Sequence, residues 1–171
     1  MTLPGIYPPI ATPFKDGEVD FAALRHNVDR LMTTGLRGLL ALGTNGEAAL
    51  IDDDEAERIV ATVREGVPED RVLLVGTGRQ STRATIAATR RAAKAGADAA
   101  LVLTPFFFKG RMTQDALADY YRAVADASPV PVLLYNNTGV TGINLSPDTV
   151  AALSVYPNVA GMKDSNGDVA Q

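Results

Sequence analysis

Lys163 closes a run of small and apolar residues, Val159-Ala160-Gly161-Met162, and the polar stretch Asp164-Ser165-Asn166-Gly167-Asp168 follows it. The pattern reads as a buried strand whose last side chain is a primary amine. An amine shielded from water gives up its proton more readily, and the free base attacks a carbonyl carbon to form a Schiff base. The same pattern also suits a lysine whose stem follows the strand while its ammonium snorkels into solvent. Tyr135 ends a second apolar run that begins at Val130, and it precedes Asn136-Asn137. A phenol there can pass a proton to or from a carbinolamine, or stay wet while its ring packs. A third candidate is Gly43-Thr44-Asn45-Gly46-Glu47, after the apolar run Leu36 to Leu42. Its glycines let backbone N–H groups and the Thr44 hydroxyl approach an anion such as a carboxylate. An ordinary turn uses the same residue types.

Other chemistries are poorly supplied. The 171 residues include no cysteine and one histidine, which removes thiolate chemistry and makes a histidine-based metal site or a Ser-His-Asp triad improbable. That histidine, His26, falls between Arg25 and Asn27 on a helical pattern and is expected to face solvent. The acidic run Asp52-Asp53-Asp54-Glu55 suits a helix N-terminus better than a metal. Phe106-Phe107-Phe108, after Thr104-Pro105, is expected to be a pocket wall or an oligomer contact, because exposed rings otherwise form an unprotected patch. A net charge of −4 without a basic stripe argues against nucleic acid. With 46% hydrophobic and 21% charged residues the composition is globular. No stretch has the apolar length of a membrane span, and the amino terminus lacks the pattern of a signal peptide. A soluble cytoplasmic protein is expected.

The elements that must position these residues alternate. Ile6 to Pro13 reads as a first strand, and Asp16-Gly17 with Glu18 as a turn. Asp20 caps a helix to about Thr34, with Leu24, Val28 and Leu31 on one face. Leu36 to Leu42 is a second strand. Asp52 and Glu55 have the spacing of a capping box for a helix to about Glu65. Arg71 to Val75 is a third strand, and Ser81 caps an Ala-rich helix to about Ala95. Ala97 to Leu103 is a fourth strand, Thr113 to about Ala127 a helix, and Val130 to Tyr135 a fifth strand. Ser146-Pro147 opens a helix to about Val155, and the strand ending at Lys163 is the sixth.

Strand–helix repetition at this spacing implies right-handed βαβ units around a parallel sheet. A doubly wound nucleotide fold would carry a fuller glycine fingerprint than Gly76-Thr77-Gly78. A (β/α)8-type TIM barrel fits better, since Thr44, Tyr135 and Lys163 all follow strand ends, where barrels carry their chemistry. Such a barrel takes about 250 residues. Residues 1–171 are therefore expected to form a single but incomplete barrel domain of about six strands, lacking the last two strands and the C-terminal helices.

The three motifs Gly43-Thr44-Asn45-Gly46-Glu47, Leu134-Tyr135-Asn136 and Gly161-Met162-Lys163-Asp164 together resemble the pyruvate-dependent class I lyases. This superfamily contains dihydrodipicolinate synthase and N-acetylneuraminate lyase, and the likeness covers essentially the whole chain. Lys109-Gly110-Arg111-Met112, Val124-Ala125-Asp126, Ser128-Pro129-Val130-Pro131-Val132 and Lys163-Asp164-Ser165 look most like 4-hydroxy-2-oxoglutarate aldolase. That resemblance implies cleavage or formation of a 4-hydroxy-2-oxo acid with pyruvate as keto component and an aldehyde such as glyoxylate as partner. It implies no metal or organic cofactor, and a homo-oligomer, tetramer or dimer. It makes Lys163 the Schiff-base nucleophile, Tyr135 the proton-transfer residue, and Thr44 a carboxylate-positioning and proton-relaying hydroxyl. Gly43, Asn45 and Phe107 join Thr44 in binding substrate. Phe107 stands where many members have a tyrosine, Val140 where synthases have an arginine, and Thr138 where a proline is usual. Two alternatives stand beside the aldolase: dihydrodipicolinate (4-hydroxy-tetrahydrodipicolinate) synthase, and a non-catalytic incomplete barrel.

Overall fold

The structure is a computed structural model that describes residues 3–171. The chain forms two compact units. One holds the described residues up to Gly76 together with Arg91–Ala100, and the other holds Thr77–Arg90 with Leu101–Gln171.

The first unit begins with a parallel contact in place of the expected first strand. Pro9 bridges Leu40, Ile10 N–H donates to Leu40 O at 3.0 Å, and Leu40 N–H donates to Pro8 O at 3.0 Å. Pro8 and Pro9 have no N–H to give a longer ladder, so Ile6 to Pro13 narrows to one bridge. Next, β1 (Phe14–Lys15) and β2 (Glu18–Val19) form an antiparallel pair. Asp16 and Gly17, at φ 54° and 87°, make its turn, as the Asp-Gly pair requires.

Helix α1 (Phe21–Met32) starts where Asp20 accepts the Ala23 N–H at 2.9 Å, and it buries Leu24 and Val28. β3 (Gly38–Ala41) is buried at every residue. α2 (Asp53–Gly66) carries the expected capping box between Asp52 and Glu55. β4 (Val72–Gly76) lies parallel to β3, with Gly38 opposite Val72 and Ala41 opposite Val75. A Cβ on Gly38 would fall 1.8 Å from Val72 O, so only glycine admits this strand spacing. The core unites Val28, Leu39, Ile59, Val63, Leu73 and Val75. Each fully buried aliphatic side chain of this kind contributes roughly 1.5–3 kcal/mol.

The chain passes between units along α3 (Thr82–Lys94) and β5 (Ala99–Leu103). In the second unit, Thr113 caps α4 (Gln114–Ala127), which is followed by β6 (Val132–Asn136). Then come the short α5 (Thr138–Thr141), α6 (Pro147–Ser154) capped by Ser146, and β7 (Val159–Asp164). Tyr121 is fully buried and donates to Val102 O at 3.0 Å, which anchors α4 to β5. β6 and β7 are parallel, with an irregularity between Val132 and Leu133.

The strand order is β3-β4-β5 in the first unit and β5-β6-β7 in the second. Each strand thus lies beside its predecessor, as in a barrel, with no reversal of the kind that marks a doubly wound sheet. The sequence pattern differs from the structure at β7. None of its six residues is buried, and Gly161 and Asp164 are exposed. Among the described residues its ladder is with β6.

Candidate active site

Tyr135 and Lys163 are paired in register on β6 and β7. Side chains directly opposite each other in a parallel pair share a face of the sheet, and the Lys163 Nζ lies 4.4 Å from the centroid of the Tyr135 ring. The ring is buried, at 4% exposure, while Lys163 is half-buried. Both sit at the C-terminal ends of their strands, where the βα loops begin. The phenol oxygen accepts a hydrogen bond from Asn137 Nδ2 at 2.9 Å.

Alternation sends Asn136 to the opposite face. It is fully buried and opposite Asp164 in the register. Its Nδ2 donates to Asn144 Oδ1 at 2.8 Å and, more weakly, to Asp164 Oδ2 at 3.4 Å. Its Oδ1 accepts the Leu145 N–H at 3.1 Å, and its backbone carbonyl accepts Ser165 N–H at 2.9 Å. Gln114 extends the network, accepting from Ser146 N–H and donating to Asn144 O, both at 2.9 Å. Thr138 Oγ1 donates to Asn166 Oδ1, which ties the loop after β6 to the loop after β7. The strand ends that carry Tyr135 and Lys163 are thus fixed mainly by amide side chains. The sequence shows Asn136 and Asn137 only as neighbours of Tyr135. Their opposite orientations follow from the period-two alternation of β6.

Deeper in the same unit, burial pushes the Tyr120 phenol up to about 12, against the lowering effect of its bond with Thr85. Its oxygen lies 2.8 Å from Thr85 Oγ1. Burial also drives Tyr121 well above the usual phenol value. These two phenols stay protonated and structural in the neutral range.

Phe107 is 73% exposed and meets Phe108 edge-on at 5.0 Å between ring centroids. The N–H groups of Phe106 and Phe107 both donate to Gln80 Oε1 at 2.9 Å, which pins the aromatic loop from below.

In the first unit, the residues after β3 form tight 3-10 turns, Thr44–Gly46 and Ala48–Leu50. Gly46 and Ala48 N–H groups donate to Gly43 O at 3.1 and 3.4 Å, and Glu47 N–H donates to Thr44 O at 3.1 Å. These three donors close the turn. Gly43 is buried, whereas the side chains of Thr44 and Asn45 are exposed. Leu42 and Glu47 bracket the turn at φ 53° and 54°, a region that costs a non-glycine residue about 1–3 kcal/mol and often marks functional loops. Buried Thr12 braces it by donating to Gly46 O at 2.7 Å.

His26 is exposed on α1. In the acidic run, Asp52 caps α2 and Asp53 pairs with Arg91 at 2.6 Å. Among the described residues no group of His, Cys, Asp or Glu is arranged to hold a metal ion, and no helix is long and apolar enough to cross a membrane.

Residues 2–171 match the Dihydrodipicolinate synthetase family. The 4-hydroxy-tetrahydrodipicolinate synthase of Xanthomonas campestris pv. campestris is 43% identical over 169 residues, 98% of this chain and 55% of that protein. The protein of the same name from Methanothrix thermoacetophila is 40% identical over 168 residues, 98% of this chain and 56% of its own length. Among solved structures, the chloride-inhibited dihydrodipicolinate synthase from Acinetobacter baumannii, complexed with pyruvate, superposes with a TM-score of 0.94 at 38% identity. That match covers 99% of this chain and 58% of the Acinetobacter chain. The chain therefore spans a little over half the length of these relatives. Its sequential parallel strands are those of a (β/α)8-type barrel, of which the described residues hold five strands of one sheet and the Pro9 bridge. By sequence and by fold, the chain belongs to the dihydrodipicolinate synthetase family.

Proposed function

We propose that this chain carries the Schiff-base chemistry of a pyruvate-dependent carbon–carbon lyase of the 4-hydroxy-tetrahydrodipicolinate synthase type. The observation behind the reading is the register pair Tyr135–Lys163, with Nζ 4.4 Å from the ring centroid at the ends of adjacent parallel strands. The free Lys163 amine attacks C2 of pyruvate, and the carbinolamine loses water to give a protonated imine. That imine is an electron sink, so C3 loses a proton to form an enamine. The enamine carbon attacks an aldehyde, and water then releases the product and restores the amine. Tyr135 moves the protons. Thr44, with Gly43 and Asn45, is assigned to the pyruvate carboxylate on the sequence pattern. Phe107 is assigned to the pocket wall or a contact between copies of the chain. A cytoplasmic homo-oligomer built on one barrel domain is the setting this reading expects.

The names of the relatives favour the synthase over 4-hydroxy-2-oxoglutarate aldolase, the reading closest to the sequence pattern. One observation keeps the aldolase as a second reading. Val140, at the position of the synthase arginine, is 46% exposed on α5 and offers no cation to a second carboxylate. Comparing aspartate semialdehyde with glyoxylate as acceptor for the bound enamine separates the two. The chemistry common to both is tested by adding pyruvate and borohydride and weighing the protein. A reduced pyruvyl adduct on Lys163 is expected, and its loss in Lys163→Ala. A wild-type chain that folds and acquires no adduct would remove the reading and favour a non-catalytic barrel.

A further inference from the structure

Asn137 has no part in the chemistry above, yet its Nδ2 donates to the phenol oxygen, Tyr135 Oη, at 2.9 Å. Residues 135 and 137 project to the same side because β6 alternates, and Asn136 between them goes to the other. The Asn137 backbone is held firmly. It caps α5, and its carbonyl accepts Val140 N–H at 3.2 Å, Thr141 N–H at 3.0 Å and Thr141 Oγ1 at 3.0 Å. Its amide oxygen lies on the Gly139 side, 3.6 Å from where a Cβ on that glycine would sit. The amide nitrogen is left to reach the phenol.

We propose that Asn137 is a positioning residue for Tyr135, donating to the phenol oxygen so that its proton points away from the amide and its anion is stabilised when that proton is passed on. The proposal rests on the Schiff-base reading. A hydrogen bond to an anionic oxygen is stronger than one to a neutral oxygen. The same N–H therefore gains strength as Tyr135 gives up its proton and loses it as the proton returns. Asn137 touches no reacting carbon and acts only through the phenol. The Thr138–Asn166 bond keeps its loop tied to the loop after Lys163.

The test needs only pyruvate. Exchange of its C3 protons in D2O, followed by NMR across pH, reports proton transfer on the enamine without an aldehyde. Borohydride capture reports imine formation, and ultraviolet titration against Tyr135→Phe reports the phenol itself. Asn137→Ala should reach the same final extent of borohydride capture, but form the adduct and exchange the C3 protons about ten-fold more slowly, as expected for losing a hydrogen bond to a charged group. The apparent KM for pyruvate should hold, and the Tyr135 titration should move about one pH unit upward. Asn137→Asp keeps the size but removes the donor and adds a like charge, so its shift should be larger. A merely structural role would move neither titration nor pH profile. Exchange and titration in Asn137→Ala that match a normally capturing wild type overturn the Asn137 role alone. A wild type that captures nothing overturns the Schiff-base reading and this role with it.

Discussion

β3 and β7 are both short parallel strands leading to a residue expected to do chemistry, and they are built in opposite ways. β3 is buried at every position, and its spacing to β4 is set by contact, with Gly38 admitting the Val72 carbonyl. The turn after it is closed by its own backbone. β7 has no fully buried residue, and its register with β6 is accompanied by side-chain bonds that run through Asn136, Asn144 and Asp164. Apolar packing fixes a strand but tolerates little change in volume. A polar network fixes a strand end while leaving a half-exposed amine reachable, at the cost of needing every partner in place. The region proposed to capture substrate is the second kind.

The comparison is broken most severely on the packed side. Gly38→Ala places a methyl where Val72 O already lies, so strands must part. A loss of roughly 3 kcal/mol or more is expected in chemical denaturation. An unchanged midpoint would mean that β3 is held less tightly than its burial implies. High pH tests the second unit through Tyr120. Tyr120 has a folded value of about 12 against an ordinary 10.0. Its contribution is complete below pH 10 and is lost as pH rises toward 12, because the unfolded chain ionises first. Roughly 2–3 kcal/mol should disappear over that interval, and Tyr120→Phe should flatten the decline. The smallest effect sharpens the polar side. Asn136→Leu leaves the Leu145 N–H without its acceptor and takes one donor from Asn144 Oδ1, which costs about 2 kcal/mol. The loss of stability should be accompanied by slower pyruvate capture at Lys163, while Gly38→Ala variants that remain folded should capture at the usual rate.

What the sequence made legible was local. The caps at Asp20, Asp52, Ser81 and Ser146 lie where their residue types imply, because each cap is decided within about three residues. Tyr135 and Lys163 were visible as strand ends for the same reason. Their pairing was not, because register depends on residues far apart in the chain. Helix α5 was missed because Thr138-Gly139-Val140-Thr141 has poor helix propensity. It forms around the Asn137 carbonyl, which accepts both Thr141 N–H and Thr141 Oγ1 at 3.0 Å.

Asp98 shows how one carboxylate can set the gap between layers of the first unit. Its Oδ2 receives Arg64 Nη1 at 2.9 Å from the end of α2 and the Leu73 N–H at 2.8 Å from the start of β4. Arg64 Nη2 also reaches Val67 O at 2.7 Å and Pro68 O at 3.0 Å, in the loop between helix and strand. Helix, loop and strand therefore share one electrostatic clasp, and the first amide of that clasp should exchange with solvent only when the helix end lifts with it.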